Sequence, residues 1–596
     1  MVISIALLAL SGCTTEQAEA PSTKATEAAA STAAKVAKKQ PKHIIVIMTD
    51  DQGGWDYGFM GNQILETPNL DAMASRSARL SRFYVSPVCA PTRASVLTGR
   101  YNYRTRVIDT WAGHSSMDPN EITLAEVLGD AGYTSGLFGK WHLGDSYPMR
   151  PQDQGFDEVL MHLGGGIGQS SDPIGAEGKY TDPTLFHNGE EVLMKGYITD
   201  IIFDKAADFI ANNVKNNKAS FTYIATNAPH GPYHDVPMAL LKKYQGKDVA
   251  STLVREKDKK NKKMVDTTAR VYAMIENIDD NVGKLFQRLK DLDAFDNTLV
   301  LFLNDNGPNT LRYVGETSEK KTDIGDGGIR SPLLAHWPTR LKAGTVNDRI
   351  AAHYDLFPTI LSAAGIALPK HKIDGVNLLP LLENNADNWP DRKLYLQWHR
   401  GASAHLYEHA TVIGQTHKLS YKRKEGIARL HNLLKDPGEH NDISKQQPAI
   451  LEEFVADYEA WFKDVGSTRP DNYAPPKIHV GNKAEPRTLL TSQDWINLAG
   501  TPYGSNPKNT IGNWPVIFDR AGSYNFTVYP SAVKSDQPTD LDFSIAGQHL
   551  TIKLDAGVTV HTFKNIAITA GEQTVAASIK PGKIKIGVHQ IHITRN

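Results

Sequence analysis

Two continuous apolar runs constrain the fold of this chain more than any other feature. The first is His43 to Met48, and the second is Thr298 to Leu303. A short run without polar alternation is typical of a strand that is buried on both faces, as in the centre of a parallel sheet. Because parallel strands need long crossover connections, usually helices, the runs predict an α/β fold.

Helical patterns between the two runs support the same fold. Leu70 to Leu80 and Thr123 to Ala131 are predicted to be helices, and apolar residues recur every three or four positions from Val271 to Leu289. The latter spacing predicts a long amphipathic helix. Together these patterns predict an α/β/α sandwich around a large, mostly parallel sheet, which binds ligands beyond the carboxyl ends of its strands.

Polar residues follow both apolar runs directly. Asp50 and Asp51 come after the first run, and Asp305 and Asn306 follow the second. Oxygen donors of this kind suit Ca²⁺ or Mg²⁺ rather than zinc, and adjacent carboxylates in a cleft repel one another unless a cation offsets their charge. The alternative is that these residues only form turns after the strands.

Composition excludes several classes of protein. Lys and Arg number 65 against 66 Asp and Glu, a net charge of −1, which does not fit a polybasic nucleic-acid binder, and we expect no nucleic-acid partner. No apolar run approaches the roughly 20 residues of a membrane span. The chain has two cysteines, which cannot form a disulfide framework or a cysteine-rich zinc site.

Residues 1–40 are predicted to be a leader and a tether. Val2 to Leu10 matches the hydrophobic region of an export signal, and the segment ending at Cys13 resembles the bacterial lipoprotein box, in which the cysteine is lipidated. A plain signal peptide or a fortuitous apolar start is the alternative. We expect an exported protein, in the periplasm or anchored to the outer membrane of a bacterium, that contacts the membrane through the lipid alone. Thr14 to Gln40 has almost no large apolar residue and is expected to be flexible.

The remaining chain divides into three predicted domains. Residues 41–380 carry the main α/β pattern, and residues 381–483 form a smaller C-terminal α+β subdomain. Residues 484–596 show short alternating runs separated by glycine-containing turns, which predict a β-sandwich. Its role is open between a structural cap on the rest of the chain and a carbohydrate-binding module.

The segment from Cys89 to Arg100 is the most specific motif of the chain. It reads Cys-Ala-Pro-Thr-Arg-Ala-Ser-Val-Leu-Thr-Gly-Arg and resembles the type I sulfatases, the formylglycine-dependent branch of the alkaline-phosphatase superfamily. Their pattern is Cys-x-Pro-x-Arg followed by Leu-Thr-Gly. Other motifs occur in the family's order: Asp50-Asp51, Gly139 to Gly144, Ala228 to Pro232, Asp305 to Gly307, Lys321 and Asp326 to Arg330. The resemblance extends over roughly residues 42–444 and implies an alkaline-phosphatase-like fold.

The chain departs from the family pattern in three places. Asp326 stands where the family generally has Glu, which shortens a side chain beside the pocket. Asn304 replaces a usual Ser or Thr, with little expected effect. The habitual Glu-Leu-Tyr-Asp-Leu of the C-terminal subdomain reads Arg-Leu-His-Asn-Leu at 429–433.

The resemblance implies a formylglycine mechanism. Cys89 would be oxidised by a formylglycine-generating or other sulfatase-maturing enzyme to an aldehyde, which hydrates to a geminal diol. One hydroxyl attacks sulfur and forms a covalent sulfo-enzyme intermediate, and the second hydroxyl then allows sulfate to leave. The structural alternative is a buried, inert cysteine.

The resemblance also implies a role for each position that matches the family's motifs. One divalent cation, with Ca²⁺ preferred over Mg²⁺, would be held by modified Cys89 and by Asp50, Asp51, Asp305 and Asn306. Asp305 would help to deprotonate the attacking hydroxyl. The remaining catalytic roles are diol orientation by Arg93, sulfate binding by Lys140 and Lys321, leaving-group protonation by His230, and proton acceptance by His142. If Lys140 to His142 is extended, its first and third side chains point to the same side.

Two further segments are candidates for residues at or near the substrate pocket. Trp398, His399 and Arg400 follow a short predicted strand, Leu394 to Gln397, and offer a sugar-stacking ring beside cationic groups; core packing of Trp398 is the alternative. The run Gly164 to Gly166, with Gly168, is predicted to form a loop near the pocket.

The expected function is hydrolysis of sulfate monoesters of a poly- or oligosaccharide with release of inorganic sulfate. Two alternatives remain open at this point. One is a phosphate or phosphonate monoester hydrolase of the same superfamily, and the other is a non-catalytic, glycan-binding lipoprotein.

Overall fold

The computed structural model describes residues 40–387, 389–422, 425–500, 510–530, 537–580 and 585–596. Cys13, with its predicted lipidation, and nearly all of the predicted leader and tether lie outside these residues, so both stay predictions. Among the described helices, none is long and apolar enough to cross a membrane.

A large mixed sheet forms the centre of the fold. Within the described residues it has eleven strands: β1 (His43–Thr49), β2 (Ala78–Tyr84), β3 (Thr134–Lys140), β4 (Glu158–His162), β5 (Thr184–His187), β6 (Glu190–Leu193), β7 (Ser220–Ala225), β8 (Thr298–Asn304), β9 (Arg330–His336), β10 (Val346–Asn347) and β11 (Ala351–Ala352). Their order is β10-β2-β9-β8-β1-β7-β3-β4-β5-β6, and β11 pairs with β2.

The five central strands, β8-β1-β7-β3-β4, run parallel. Strand β1 is buried along its whole length and pairs with β7 on one side and β8 on the other, with Thr49 opposite Asn304. The mostly parallel sheet predicted from the two apolar runs is therefore confirmed. Because β1 and β8 end side by side, the polar residues after each strand meet at one edge of the sheet.

Helices cover both faces of this sheet. They are α1 (Pro68–Arg76), α2 (Cys89–Thr98), α3 (Leu124–Asp130), α4 (Ile198–Lys215), α5 (Met238–Gln245), α6 (Glu256–Lys259), α7 (Lys262–Asp291), α8 (Asp326–Ile329), α9 (Leu356–Ala364) and α10 (Leu379–Leu382). A further helix, α11 (Pro448–Ser467), lies outside this layer. Alternate residues of β1 enter different cores: Val46 packs in a cluster with Leu97 of α2, whereas Ile47 packs in a cluster with Ile278 of α7. This alternation places helices on the two opposite faces, since successive strand residues point to opposite sides.

One predicted helix was wrong in its extent. The segment Leu70 to Leu80 was predicted to be helical, but α1 ends at Arg76, Ser77 is extended, and Ala78 begins β2. The Ser77 hydroxyl donates to the carbonyl of Met73 and closes the last helical turn. Ala78 and Leu80 are buried core residues two positions apart, which is the period of a strand. The apolar residues of this short segment did not distinguish that period from the period of a helix.

The other helix predictions were confirmed. Helix α3 lies within Thr123 to Ala131, and Thr123 caps its first turn by accepting from the backbone of Glu126. Helix α7 contains the whole predicted amphipathic segment and extends it at both ends.

A small antiparallel sheet follows the main one. It consists of β12 (Leu394–Gln397), β13 (Ala410–Ile413), β14 (His417–Tyr421) and β15 (Ala428–Asn432), and α11 packs against it. Strand β12 has the bounds predicted from sequence.

The last part of the chain, from residue 478, is called here the C-terminal β region. Its strands are β16 (Ile478–Val480), β17 (Arg487–Thr491), β18 (Ile496–Gly500), β19 (Thr510–Phe518), β20 (Gly522–Tyr529), β21 (Thr539–Ile545), β22 (Gln548–Leu554), β23 (His561–Ile568), β24 (Gly571–Lys580), β25 (Ile586–Gly587) and β26 (Gln590–Arg595). They form two sheets, β16-β19-β24-β21-β22 with β18 and β25 attached, and β17-β26-β20-β23. Val516 of one sheet and Phe526 of the other belong to one apolar core. The domain boundaries at 381 and 484 stay predictions.

Candidate active site

The strand ends bring the predicted carboxylates together. Asp50 and Asp51 follow β1, and Asp305 follows β8; all three are almost completely buried. The backbone amide of Asp305 donates to the carbonyl of Thr49 at 3.0 Å, and the amide of Asp51 donates to Asp305 Oδ1 at 3.3 Å. One backbone hydrogen bond and one bond from a backbone amide to a carboxylate therefore connect the two strand ends and fix the spacing of the acidic side chains.

Cys89 begins helix α2 beside these carboxylates. Its Sγ and one carboxylate oxygen each from Asp50 and Asp305 all lie within 4.8 Å of one another. The hydroxyl of Thr92, one turn into the helix, donates to the carbonyl of Asp305 at 2.6 Å. The predicted proximity of Cys89 to the acidic cluster is confirmed, and Cys89 is a free, buried thiol.

The Leu-Thr-Gly part of the motif serves packing. Leu97 is completely buried, and Gly99 ends helix α2 with φ at 70°, a conformation that glycine adopts readily. A Cβ on Gly99 would lie 2.8 Å from Cβ of Phe357 in α9. These residues thus pack helix α2 tightly against α9, which fixes the position of Cys89 at the start of the helix.

Three cations pair with the three carboxylates. Lys140 Nζ lies 2.5 Å from Asp50 Oδ2, and Arg93 Nη2 donates to Asp305 Oδ2 at 2.7 Å. Lys321 donates to Asp51 Oδ1. Arg93 and Lys140 are fully buried, so each charge is stabilised by a direct partner rather than by water.

Burial and charge act in opposite directions on these carboxyl groups. Burial, followed by repulsion from Asp50, raises the pKa of Asp305 to about 7. Burial alone would also raise the pKa of Asp50, but Lys140, His230 and Arg93 outweigh it and hold that pKa below its usual range. Burial likewise raises the pKa of the Cys89 thiol. The neighbouring cations therefore favour the ionised form of Asp50, whereas burial and the charge of Asp50 disfavour that of Asp305.

The unpaired oxygens of the cluster fit a hard divalent cation. Among the described residues, nothing donates a hydrogen bond to the buried atoms Asp50 Oδ1, Asp51 Oδ2 or Asn306 Oδ1. Asn306 is held in place because its Nδ2 donates to Asp51 Oδ1 at 2.9 Å. Carboxylate and amide oxygens are the donors that Ca²⁺ and Mg²⁺ prefer, and a cation among them would satisfy all three.

His230 lies on the other side of Asp51. Its Nε2 is 3.7 Å from Asp51 Oδ2, and its Nδ1 donates to the carbonyl of Gly231 at 2.7 Å. Burial lowers the pKa of His230, partly offset by Asp51 and Asp50. The Nε2 atom is thus directed towards the acidic cluster.

His142 reaches the site by a different path from the one predicted. Strand β3 ends at Lys140, and His142 has φ at 62°, so Lys140 to His142 is not an extended segment with two side chains on one side. His142 Nε2 donates to the carbonyl of Thr110 at 3.0 Å. Its Nδ1 is buried and has no hydrogen-bond partner among the described residues, which leaves a lone pair on that atom. Burial lowers the pKa of His142 well below its usual range.

A glycine loop covers both histidines. A Cβ on Gly165 would lie 2.8 Å from Cε1 of His142, and a Cβ on Gly166 would lie 2.9 Å from Cε1 of His230. Side chains at these positions would clash with the imidazole rings. The predicted loop near the pocket is therefore confirmed, and its glycines allow the backbone to approach the two rings.

The three candidate substrate-binding residues differ in their exposure. Trp398 is 1% exposed, and its Nε1 donates to Asp109 Oδ1 at 3.1 Å, so the ring packs in the interior and does not stack on a sugar. His399 is also buried, and its Nε2 accepts from the backbone of His405. Arg400 is 30% exposed and donates to both Asp109 and Thr110, which places it next to the partner of His142.

Two family departures have structural roles. Asp326 forms a buried ion pair with Lys418 of β14 at 3.0 Å, so its shorter side chain connects the main sheet to the small one. Asn304 Nδ2 donates to the carbonyl of Gln52 at 2.7 Å and orders the turn after β1. Sequence reasoning missed Asp109 and Thr110, since Thr110 acts through a backbone carbonyl that has no sequence pattern.

A mostly parallel α/β sheet with a buried cysteine, carboxylates and cations at its carboxyl edge defines a member of the alkaline-phosphatase-like superfamily. The chain belongs to the sulfatase family: the Sulfatase model matches residues 42–366, and the model of the N-sulphoglucosamine sulphohydrolase C-terminal region matches residues 320–457.

Characterised relatives are similar over most of this region. The chain is 33% identical to human N-acetylgalactosamine-6-sulfatase over 373 residues, which cover 58% of this chain and 66% of that protein. It is 26% identical to N-acetylglucosamine-6-O-sulfatase of Bacteroides thetaiotaomicron over 498 residues, 68% of this chain and 83% of that protein. The solved structure of Ps i-CgsB in complex with k-i-k-neocarrahexaose aligns with a TM-score of 0.62 at 27% identity, over 74% of this chain and 95% of that chain.

Proposed function

We propose that this protein hydrolyses sulfate monoesters of carbohydrates and releases inorganic sulfate. One observation carries the proposal: Cys89 lies at the start of a helix against Asp50 and Asp305, within a cluster that also contains Arg93, Lys140 and Lys321. Membership of the sulfatase family supports the reaction, and the names of the relatives support a sulfated sugar as substrate.

Cys89 is the proposed nucleophile after conversion to formylglycine by a sulfatase-maturing enzyme. The hydrated aldehyde supplies one hydroxyl that attacks sulfur, giving a covalent sulfo-enzyme intermediate, and a second that later allows sulfate to be eliminated. Asp305, which lies beside Cys89, accepts the proton of the attacking hydroxyl. Arg93, paired with Asp305 at 2.7 Å, holds both groups in position.

The cation site is proposed to consist of Asp50, Asp51, Asp305, Asn306 and modified residue 89. Ca²⁺ is preferred over Mg²⁺ in this proposal, because Ca²⁺ accepts a less regular set of oxygen donors. The ion would withdraw charge from a sulfate oxygen. Lys140, which pairs with Asp50, and Lys321, which pairs with Asp51, bind the other sulfate oxygens as negative charge develops there.

The two histidines have different proton-transfer roles in the proposed reaction. His230 directs Nε2 towards Asp51 and, in its doubly protonated form with Nδ1 donating to Gly231, gives the Nε2 proton to the oxygen of the leaving sugar. His142 has a free lone pair on Nδ1, because Nε2 carries the proton that is donated to Thr110, and it accepts the proton that accompanies sulfate release. Arg400, which is partly exposed beside Thr110, contacts the anionic sugar.

A release assay tests this function. Purified protein, co-expressed with a sulfatase-maturing enzyme, should release inorganic sulfate from part of a panel of defined sulfated oligosaccharides. Cys89→Ala should release none while retaining the wild-type circular dichroism spectrum. Faster cleavage of an aryl phosphate than of the matched aryl sulfate would instead favour a phosphate monoester hydrolase, and glycan binding without turnover would favour a binding protein.

The chemical state of residue 89 can be measured directly. Mass spectrometry of the proteolytic peptide that contains residue 89 should show an aldehyde in active protein and a thiol in inactive protein. An active preparation whose residue 89 is entirely thiol would contradict the nucleophile assignment.

We also propose that the protein is exported and anchored by a lipid on Cys13, as the leader pattern predicts. Fractionation of cells that express the full chain should find it with the membranes. Cys13→Ala should abolish labelling by a fatty acid, whereas Cys89→Ala should leave that labelling unchanged.

A further inference from the structure

The carbonyl oxygen of Thr110 accepts hydrogen bonds from two side chains that are far apart in sequence. His142 Nε2 donates at 3.0 Å, and Gln493 Nε2 donates at 2.7 Å. Gln493 belongs to the short turn Ser492–Asp494 after strand β17, in the C-terminal β region. This region therefore lies one carbonyl group away from a histidine of the active site.

Gln493 is itself held firmly. Its side chain is 4% exposed, and its Nε2 also contacts Ser115 Oγ at 3.1 Å. Its carbonyl accepts from the amide of Gly113 at 2.9 Å, and its amide donates to Thr491 Oγ1 at 3.2 Å. The turn thus forms hydrogen bonds with Thr110, Ser115 and Gly113 of one loop, through both side-chain and backbone atoms.

The position of the Thr110 carbonyl determines the state of His142. A neutral imidazole carries one proton, and the hydrogen bond of one ring nitrogen selects which nitrogen carries it. With Nε2 donating to Thr110, Nδ1 is left as the base. If the carbonyl moved, the ring would lose both its orientation and its preferred tautomer.

A second contact from the same region reaches the glycine loop. Gln590 Nε2, at the start of β26, donates to the carbonyl of Asp172 at 2.6 Å. The hydroxyls of Ser171 and Thr491 are 3.3 Å apart. Asp172 in turn accepts from the amide of Gly168 at 2.7 Å and so closes the loop that covers both imidazole rings.

We propose that the C-terminal β region contributes two positioning residues to the active site. Gln493 positions His142, and Gln590 positions the glycine loop. The proposal rests on the proposed sulfatase function. It assigns the region neither to a cap that only covers apolar surface nor to a separate carbohydrate-binding module.

Substitution of Gln493 tests the proposal. Gln493→Met keeps the length and volume of the side chain and removes the donor. If His142 acts in sulfate release, this change should slow the breakdown of the sulfo-enzyme and lower kcat about tenfold. KM should fall with kcat once that breakdown limits turnover, so kcat/KM should change little. A burst of alcohol product, absent from the wild type, should precede the slow steady state.

Two further variants sharpen the test. Gln590→Met should lower both kcat and kcat/KM, since the glycine loop touches both histidines. Gln548→Met replaces an exposed glutamine of β22 in the same region and should behave like the wild type. Urea unfolding of the full chain should show the same midpoint for Gln548→Met and the wild type, and a folded state for the other two variants.

The outcomes separate this inference from the proposed function. Wild-type kcat and no burst for Gln493→Met, together with wild-type kinetics for Gln590→Met, would overturn the positioning role while leaving sulfate hydrolysis intact. If only one of the two variants fails to fold, the kinetics of the other decide. If the wild type itself releases no sulfate, the proposed function fails, and this inference fails with it.

Discussion

Lys140 Nζ lies 2.5 Å from Asp50 Oδ2, and both side chains are completely excluded from solvent. Arg93 approaches the same oxygen only to 4.0 Å and is committed to Asp305. Lys140 is thus the nearest neutralising partner of a carboxylate whose pKa is held below its usual range despite its burial. A buried charge that loses its partner is costly, which makes this pair the most sensitive contact of the site.

Lys140→Ala should therefore reduce both stability and activity. We expect the free energy of unfolding to fall by about 3 kcal/mol, because Asp50 would stay buried without its partner, and sulfate release to fall at least about 100-fold. Lys195→Ala is the matched control, since Lys195 and its partner Asp182 are 78% and 44% exposed; that change should cost less than about 1 kcal/mol. Equal losses in the two variants, measured by urea unfolding, would contradict this account.

Removal of divalent ions should lower both thermal stability and turnover. A cation that binds the native state alone stabilises it by mass action, so EDTA should lower the unfolding temperature and added Ca²⁺ should restore it. Asn306→Ala removes one buried oxygen donor and should raise the Ca²⁺ concentration needed for half of that recovery by about tenfold. Asn216→Ala, at an exposed helix end, should not. An unfolding temperature that is indifferent to Ca²⁺ and Mg²⁺ would count against the site.

The glycine loop should not tolerate side chains. Gly166→Ala places a methyl group 2.9 Å from Cε1 of His230, so either the loop or the ring must move. We expect kcat/KM to fall about 10- to 100-fold in a folded protein. Gly129→Ala is the control, because a Cβ there meets nothing within 4 Å in helix α3, and stability should rise by about 0.5–1 kcal/mol. Full activity of Gly166→Ala would show that the loop adapts without cost.

The sequence predicted the parts of this site that depend on local pattern. The apolar runs of β1 and β8 have no polar residue to interrupt them, so their burial and the convergence of Asp50 and Asp305 followed directly. Cys89 and Arg93 lie on the first turns of one helix, where a fixed spacing becomes a fixed geometry.

The remaining features depend on contacts between distant segments. Nothing near Thr110 in the sequence indicates that its carbonyl meets His142 and Gln493, since backbone atoms are the same in every residue. Trp398 was ambiguous because an indole suits both a core and a sugar-binding surface, and Asp109, 289 residues earlier in the chain, decides between them.

Asp145 should make stability depend on pH. Its Oδ2 accepts from the amide of Gly164, its Oδ1 has no hydrogen-bond partner in the described part of the chain, and burial followed by Asp494 raises its pKa from 3.8 to about 8. The folded state therefore holds a proton that the unfolded state releases near pH 4. The stabilisation is complete below pH 4 and is lost as pH rises towards 8.

Asp145→Asn mimics the protonated carboxyl group and cannot titrate. Its free energy of unfolding relative to the wild type should therefore increase steadily between pH 5 and pH 8. Asp204→Asn, at an exposed residue of α4, is the control for the change of residue type. The measurement is urea unfolding at a series of pH values, and a constant difference for Asp145→Asn would refute the buried proton.

Trp398 and Arg400 both donate to Asp109, but only the arginine is exposed enough to meet a substrate. Trp398→Phe removes one hydrogen bond from a buried carboxylate, so the unfolding free energy should fall by about 1–3 kcal/mol with KM for a sulfated oligosaccharide unchanged. Arg400→Ala should instead raise that KM severalfold and leave KM for a small aryl sulfate near its wild-type value, because Arg400 is proposed to contact the sugar and not the sulfate group. Steady-state kinetics on both substrates check the pair. A raised KM for Trp398→Phe would contradict the interior role and favour stacking of Trp398 on the sugar.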